Sequence, residues 1–391
     1  EPVIEGAYQI TFPIIKALPE DLILKKLIFK ILPQYKLNQP LSPQSEIARK
    51  PVGTGYYKFE RREPTLLELK RSDSNVGSTK IDRIKVYIMP DYGTQKESLI
   101  NKDVDLLIEV PPTEIKYLEA SGFDICPYNS YEFSFIAINF NNKLLQLKNV
   151  RQALTIGYNR RNVLEKVYQR QGEVISGPFP RGSAYFLEEI KPFEYNPKSA
   201  KKLLSEAGFT KTNSEGFLVN TNGDELKFTL SVPKNRKWDD YQSKAVKQFV
   251  TDMKEIGVKI IIGDMEFENY LENIKYKHDY DLAYGTLVFD DVGNVYPLFH
   301  SSNSKPGQEN FITYNNPEVD QLLKQQNESM DESQKINLGR RLHKLLKEEC
   351  PYVFLWSLEN NAVVNPRIRN VHYKMTPFTF FGHINEWYIK E

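Results

Sequence analysis

The order of apolar and polar residues predicts that strands dominate the first third of the chain. In this region apolar residues alternate with polar ones over short runs, which is the period of a half-buried strand. The predicted strands are Tyr8 to Phe12, Leu66 to Leu69, Ile84 to Met89 and Val104 to Ile108. A short helix is predicted between the last two strands, from about Gln95 to Lys102.

Helical periodicity becomes prominent after a strong predicted strand from Phe133 to Phe140. Apolar residues spaced by three and four positions predict one long helix from about Asn149 to Tyr168. A loop rich in Pro and Gly follows over Ser176 to Ser183. The next helix is delimited at both ends, because Asn196 is a good N-cap, a Pro occupies the first helical position, and Gly208 is a typical stop.

A βαβ unit is predicted in the middle of the chain. Its parts are a strand from Leu226 to Val232, a helix from Trp238 to Ile256 and a strand from Val258 to Ile262. Such a crossover implies parallel strands joined by a right-handed connection. The Gly-x-Gly-x-x-Gly fingerprint of a Rossmann dinucleotide site does not occur at its strand-to-helix turn. Further helices are predicted after Asn316-Pro317 and at Asp331, and the alternation of strands and helices indicates an α/β fold.

Composition and charge narrow the class of protein. The 391 residues include 52 Lys and Arg against 51 Asp and Glu, which gives a formal net charge of +1. At roughly 100–200 residues per domain, the length predicts two or three domains. The chain has no block of basic residues, so neither nucleic acid nor an anionic membrane surface is a predicted partner. No run approaches the roughly 18 apolar residues of a membrane-spanning helix.

The sequence motifs of catalysis and of metal binding are missing. The five histidines are scattered and form no His-x-x-x-His pair, so a zinc hydrolase is not predicted. Cys126 and Cys350 lack metal-ligand spacing and have no catalytic signature nearby. The chain has no Gly-x-Ser-x-Gly motif, and Gly53-Thr54-Gly55 lacks the Lys-Ser/Thr of a P-loop. We therefore predict a protein that is not an enzyme and that has no cofactor and no resident metal ion.

An acidic pair, Asp290-Asp291, is the polar feature that points most directly to a ligand. It follows a predicted strand that runs from Asp279 to Phe289. In open α/β sheets, ligands collect beyond the carboxyl ends of the strands, so the pair is a candidate ligand contact. A plain surface loop explains the same residues, and the residues alone leave both interpretations open.

Five segments of the chain match a known set of motifs in the same order. They are Pro51 to Phe59, Asn139 with Asn149 to Leu154, Tyr195 to Phe209, Lys254 to Lys259, and Tyr314 to Asp320. They resemble motifs of the bacterial extracellular solute-binding proteins of the peptide/nickel type (family 5), which supply ABC importers. The first segment resembles the family's Pro-Val-Gly-Thr-Gly-Pro-Tyr/Phe segment, and the third its Asp-Pro-x-x-Ala-x-x-Leu-Leu-x-x-Ala-Gly helix. One such motif is weak, whereas five in register are specific, and they cover nearly the whole chain.

The resemblance implies a two-lobed α/β architecture of the type II periplasmic-binding kind, which closes around a solute by hinge bending. Residues 1–138 would be the remainder of lobe I, residues 139–365 lobe II, and residues 366–391 a return segment to lobe I. The hinge would lie near Ile138-Asn139 and Val363-Val364. Family members usually carry a further stretch before the Pro-Val-Gly-Thr-Gly motif, which begins here at residue 51, so lobe I is expected to be incomplete.

The function implied by the resemblance is that of the extracytoplasmic solute-binding subunit of an ABC importer. Such a subunit captures a peptide or another small polar solute between its lobes and delivers it to the permease. It would work at the periplasmic or extracellular face of the bacterial cell membrane, which it would touch only through a lipid anchor on the N-terminal stretch. The alternative is a surface lipoprotein of the same fold that acts in host or matrix adhesion. An enzyme on this scaffold is disfavoured by the missing motifs.

The resemblance also suggests how a solute would be held. In peptide-binding members, a Gly-Trp-x-x-Asp segment lets a carboxylate pair with the α-ammonium group of the ligand. This chain keeps Gly285 but has Thr286 in place of the Trp and Phe289 in place of the Asp. Asp290 is then the nearest carboxylate, and such a group would form a strong charge-assisted hydrogen bond with a cation. The predicted ligand-binding residues are Asn139, Arg181, Tyr284, Thr286, Phe289 and Asp290.

Alternatives remain for several of these residues. Asn139 would equally serve as a backbone cap where the chain crosses between lobes, and Arg181 as an exposed side chain. Tyr284 and Phe289 would equally be core aromatics of a buried strand. The two cysteines, Cys126 and Cys350, would lie on different lobes, where a disulfide would oppose hinge bending, so we expect both to be reduced.

Overall fold

The structure is a computed structural model of the chain. It describes residues 2–14, 44–72, 79–129, 132–179, 183–234, 239–288, 294–371 and 380–390, together with residues 17, 20, 23, 24, 27, 32, 42 and 181. All structural statements below concern these residues. Within them, no helix combines the length and the apolar character needed to cross a bilayer.

The strands of the described residues are numbered in chain order. They are Val3–Gly6 (β1), Gln9–Thr11 (β2), Tyr57–Glu63 (β3), Leu66–Arg71 (β4), Arg83–Tyr87 (β5), Leu106–Leu107 (β6), Asp124–Asn129 (β7), Glu132–Ile138 (β8), Gly172–Val174 (β9), Lys211–Thr212 (β10), Leu218–Val219 (β11), Lys227–Pro233 (β12), Lys259–Met265 (β13), Leu282–Val288 (β14), Tyr352–Phe354 (β15), Trp356–Val364 (β16), Ile368–Arg369 (β17) and Tyr388–Ile389 (β18).

The α-helices are numbered in the same way. They are Glu46–Arg49 (α1), Tyr92–Ile100 (α2), Ile115–Ala120 (α3), Lys148–Ile156 (α4), Arg160–Lys166 (α5), Pro197–Glu206 (α6), Asp239–Glu255 (α7), Phe267–Leu271 (α8), Tyr296–Phe299 (α9), Pro317–Glu328 (α10) and Glu332–Glu349 (α11). Short 3-10 helices span Pro112–Glu114, Ser301–Asn303 and Ile384–Glu386, and a π-helix spans Glu272–Lys277.

A five-stranded sheet, called the large sheet below, has the order β13-β12-β14-β8-β15. Strand β12 runs parallel to both β13 and β14, and β8 runs antiparallel to both β14 and β15. The helix α7 connects β12 to β13, so the predicted βαβ unit and its parallel pairing are confirmed.

Both faces of the large sheet are buried. Along β8 the side chains alternate, with Phe133 and Phe135 in one apolar cluster and Ile136 and Ile138 in the other. Helices α4 to α7 pack in the cluster of Ile136, and α10 and α11 pack in the cluster of Phe133. A sheet covered by helices on both faces is an α/β layer arrangement, as predicted.

A second sheet, called the small sheet, has the order β6-β16-β7, and β9 also pairs with β16. One cluster beside it contains Cys126 and Trp387, and another contains Leu99 and Leu118. Each sheet therefore has its own hydrophobic core. Cys126 and Cys350 are both free and buried, and Cys350 ends α11 on the side of the large sheet.

The chain crosses between the two sheets at two adjacent places. The first is the link from β7 to β8. The second is β16, whose residues 356–358 pair with β9 and whose residues 359–364 pair with β7 and β6. Ser357 Oγ ties the two crossings together by donating to the carbonyl of Glu132 at 2.8 Å.

These crossings differ in position from the hinge expected at Ile138-Asn139 and Val363-Val364. Strand β8 pairs with β14 from Glu132 to Ile138, so the residues before position 138 already belong to the large sheet. Val363 and Val364 pair with β6 inside the small sheet. The sequence showed a strong strand here but not which sheet it joins, because that depends on pairing with residues about 150 positions away.

One predicted helix is broken in two. Instead of one helix from Asn149 to Tyr168, α4 ends at Ile156 and α5 begins at Arg160. Asn159 restarts the helix by accepting a hydrogen bond from the backbone N–H of Asn162 at 3.1 Å. The break allows Gly157 to approach the core so closely that an added Cβ would lie 2.7 Å from Ile256 Cδ1.

Candidate functional site at the sheet junction

A side-chain contact joins the two sheets beside the crossings. The 3-10 helix Pro112–Glu114 lies after β6, and its Thr113 Oγ1 lies 2.6 Å from the hydroxyl of Tyr241 near the start of α7. The two residues are 128 positions apart in the chain. This hydrogen bond therefore bridges the part of the chain around the small sheet and the part around the large sheet.

A chain of tyrosines leads from this contact into the large sheet. The ring of Tyr241 stacks on that of Tyr168, with centroids 5.9 Å apart and planes 21° apart. The phenol of Tyr168 also interacts with that of Tyr284, since each affects the pKa of the other. Burial raises the pKa of Tyr168 to about 12 and that of Tyr284 well above its ordinary value. Both phenols therefore stay protonated at neutral pH and remain hydrogen-bonding groups.

Glu132 adds a carboxyl group at the first crossing. Burial raises the pKa of this carboxyl above its ordinary value, although part of the residue remains accessible. The negative charge of Glu132 contributes to the raised pKa of both Tyr168 and Tyr284. A desolvated carboxylate favours a proton or a cationic partner. We call Thr113, Glu132, Tyr168, Tyr241 and Tyr284 the junction cluster.

Asn139 lies at the other end of β8 from the junction cluster. It is 2% exposed, and its amide donates to the carbonyls of His278 at 3.0 Å and Tyr280 at 2.6 Å. Its side-chain oxygen accepts from the N–H of Asn141. The seven residues of β8 rise by roughly 3.3 Å each, which separates Asn139 from the crossings by roughly 20 Å. The structure thus places Asn139 away from the two crossings, with contacts typical of a backbone cap.

The other predicted residues fall in different surroundings. Arg181 is exposed and forms ion pairs with Glu173 at 2.9 Å and Glu188 at 2.8 Å. Tyr284 is 5% exposed and packs in the core of the large sheet, at the inner end of the junction cluster. Thr286 is exposed on the same strand, opposite Ser134 of β8.

Phe289 and Asp290 lie outside the described residues, so their contacts are not part of this site. The structure therefore brings Tyr284 and Thr286 to the end of the large sheet that faces the crossings, and it separates Asn139 from them. As ligand contacts, all six residues stay predictions.

Four members of the junction cluster were missed by the motif analysis. Thr113, Tyr168 and Tyr241 belong to segments that read as ordinary loop or helix, and they meet only through the fold. Glu132 had a weak signal, because it is a lone acid directly before the apolar run of β8. In the described part of the chain, no cluster of three or more His, Cys, Asp or Glu side chains could hold a metal ion.

Comparison with known proteins gives relatives over most of the chain. The oligopeptide-binding protein AppA of Bacillus subtilis is 28% identical over 369 residues, which cover 92% of this chain and 66% of that protein. The nickel-binding protein NikA of Staphylococcus aureus is 26% identical over 340 residues, which cover 85% of this chain and 65% of that protein. The chain thus spans just under two thirds of the length of these relatives.

A solved structure supports the same fold. The structure of AppA from Bacillus subtilis in complex with a nonapeptide matches with a TM-score of 0.80 at 26% identity, and the match covers 100% of this chain and 78% of that one. The fold is that of the type II periplasmic-binding proteins. The sequence profile of the bacterial extracellular solute-binding proteins, family 5 Middle, matches residues 5–309. The chain belongs to this family of solute-binding proteins.

Proposed function

We propose that this chain is the extracytoplasmic solute-binding subunit of an ABC importer and that it captures a peptide between two hinged lobes. The observation that carries the proposal is the pair of adjacent crossings between two sheets with separate cores. The relative AppA is an oligopeptide-binding protein, and its structure holds a nonapeptide. A peptide is therefore the solute that the comparisons favour.

The crossings also set the proposed lobes. Lobe I comprises the small sheet with its surroundings, at the described residues within 44–129 and 360–390, and lobe II comprises the described residues within 132–358 around the large sheet. Each lobe has its own core, so the two can rotate as bodies while the crossings bend. This division assigns β8 to lobe II, unlike the boundary after residue 138 that the sequence suggested.

The junction cluster is the proposed binding surface. It lies beside the crossings, where a solute held between the lobes would meet hydroxyl groups of Thr113 and Tyr241 and the carboxylate of Glu132. Closure would remove these groups from water and strengthen their hydrogen bonds to the solute. Glu132 would then supply the negative charge that a peptide ammonium group requires, the role that the sequence suggested for Asp290.

The proposed partners follow from the same assignment. A solute-binding subunit presents its closed form to a membrane permease, at the periplasmic or extracellular face of the cell membrane. The family description as extracellular proteins supports this location.

Native mass spectrometry with a pool of short peptides tests the proposal. The protein should retain peptides, and Glu132→Gln should weaken their binding roughly ten- to hundredfold, since a charge-assisted hydrogen bond contributes roughly 1.5–3 kcal/mol. Glu119→Gln, a change of an exposed carboxylate in α3, is the matched control and should bind as the unaltered chain does.

Two results would contradict the proposal. Retention of Ni(II)–histidine in place of peptides would identify a metal chelate as the solute. Retention of neither, with a folded protein, would remove the importer function and favour the adhesion alternative. Equal binding by the Glu132→Gln and Glu119→Gln variants would remove Glu132 from the site while leaving the solute class intact.

A further inference from the structure

A cavity outside the junction cluster lies where α5 begins. Its volume is about 180 Å³, and it is enclosed in part by the segment before α6. Three aromatic rings and three charged side chains form most of its wall. They are Tyr158, Phe193, Tyr195, Arg160, Arg161 and Glu194.

Arg160 brings a buried positive charge to this cavity. The residue is 3% exposed. Its Nη1 donates to the carbonyl of Phe354 at 2.6 Å and, more weakly, to that of Ile175 at 3.5 Å, and its Nη2 donates to the carbonyl of Phe193. A guanidinium has five N–H groups, so the Nε–H and one Nη2–H have no acceptor among the described residues. Nε and Nη2 lie on one edge of the planar group, so this edge keeps at least the Nε–H without an acceptor among the described residues.

Among the described residues, no carboxylate forms an ion pair with Arg160. Glu194, the acid in the cavity wall, forms its ion pair with Arg161 at 3.0 Å and reaches Arg160 only through space. Burial lowers the pKa of Arg160 to about 10, so the group is still charged at neutral pH. A buried cation without a counter-ion is unfavourable, even when carbonyl oxygens surround it. An anion in the cavity would therefore be attracted to the open edge of this guanidinium.

The form of the cavity indicates which anion fits. The two N–H groups on one guanidinium edge match the two oxygens of a carboxylate. The aromatic walls suit an apolar body, and an apolar cavity of roughly 150 Å³ is known to hold benzene. We propose that this cavity is a second binding site of the protein, for a small carboxylate with an aromatic or other compact apolar body, held by Arg160 and guarded at its mouth by Arg161.

Titration of the full chain with 4-fluorobenzoate, followed by ¹⁹F NMR, tests this site. The resonance should shift saturably. The uncharged analogue 4-fluorobenzamide should bind at least about tenfold more weakly, because it cannot pair with the guanidinium. Binding should persist when a peptide occupies the junction cluster, so the test is independent of the proposed transport function.

Variants of three arginines test whether 4-fluorobenzoate binds in this cavity. Arg160→Gln should abolish binding, with circular dichroism to show that the protein remains folded. Arg161→Gln changes an exposed side chain, so folding should be retained, and it should weaken binding about threefold. Arg170→Gln is the matched control, because this arginine is exposed and does not line the cavity.

Four results would overturn the proposal. The first is a shift that does not saturate, which would mean that the cavity holds water only. The second is equal affinity for the benzoate and the benzamide, and the third is equal effects of the changes at Arg161 and Arg170. The fourth is displacement of the probe by peptide, which would place it in the junction cluster.

Discussion

The hydrogen bond between Thr113 and Tyr241 is predicted to hold the two lobes together. Thr113→Val removes the hydroxyl that lies 2.6 Å from that of Tyr241 and keeps the shape of the side chain. The ring stacking of Tyr241 on Tyr168 is left in place. The variant therefore tests one polar contact between the lobes and little else.

The expected effect is moderate. A neutral hydrogen bond contributes about 0.5–1.5 kcal/mol, and this one is exposed, so we expect roughly 0.5–1 kcal/mol. That free energy shifts the ratio of open to closed molecules roughly two- to fivefold toward open. If the solute binds the closed form, its apparent affinity falls by a factor of the same size.

Single-molecule fluorescence transfer measures the shift. Dyes on cysteines introduced at Glu119 in α3 and Lys247 in α7 report the distance between the lobes, since both positions are exposed. Thr251→Val is the matched control, because its hydroxyl bonds only within α7, to the carbonyl of Lys247 at 2.9 Å. An identical distance distribution in Thr113→Val and Thr251→Val would refute the idea that this contact joins the lobes.

Three further predictions concern stability and the cysteines. Burial lowers the pKa of His343 to about 4 from 6.5, so between these pH values the unfolded chain takes up a proton and the native chain does not. The free energy of unfolding should therefore fall by up to roughly 3 kcal/mol from pH 6.5 to pH 4. Thermal melts should show a smaller fall in His343→Gln. Gly172→Ala should lower the free energy of unfolding in chemical denaturation by more than about 2 kcal/mol, because φ is +133° and the added Cβ would lie 2.4 Å from a backbone oxygen. Gly216→Ala, with φ +86° and open space around the added Cβ, should lower it by about 1 kcal/mol. Equal losses in the two variants would contradict the steric argument. Cys126 and Cys350 should resist alkylation in the native protein and both react after unfolding without a reductant, giving two adducts by intact mass; one adduct or none would contradict the free thiols.

The sequence predicted both ends of α6, because each end depends on contacts between residues that are close in the chain. Asn196 caps α6 by accepting from the N–H of Ser199 at 2.9 Å, and Gly208 has a φ of +95°, as its place after the helix suggested. These features depend on neighbours within a few residues. The break at Gly157 was missed because the apolar stripe continues through it, although Asn159 is a local N-cap. At the break, Gly157 packs closely against Ile256, the residue that follows α7.

The junction cluster shows the same limit for the site. Tyr168 and Tyr241 lie in helical segments whose aromatic residues fit an ordinary core, and only the fold stacks them. The family resemblance pointed to the end of β14, and the structure places Thr286 there on the side of the crossings. The same motifs could not show that Asn139 lies at the other end of β8, because a motif fixes the position in the sequence and not its place along a strand of the fold.

The distance between the lobes with and without solute tests the central claim most directly. The pair of dyes at Glu119 and Lys247 should report one broad distribution for the free protein and a shorter, narrower one when a retained peptide is added. The amount of the short-distance state should rise saturably with peptide concentration and fall in Glu132→Gln. A distribution that does not change while peptide is bound would contradict capture of the solute by hinge closure.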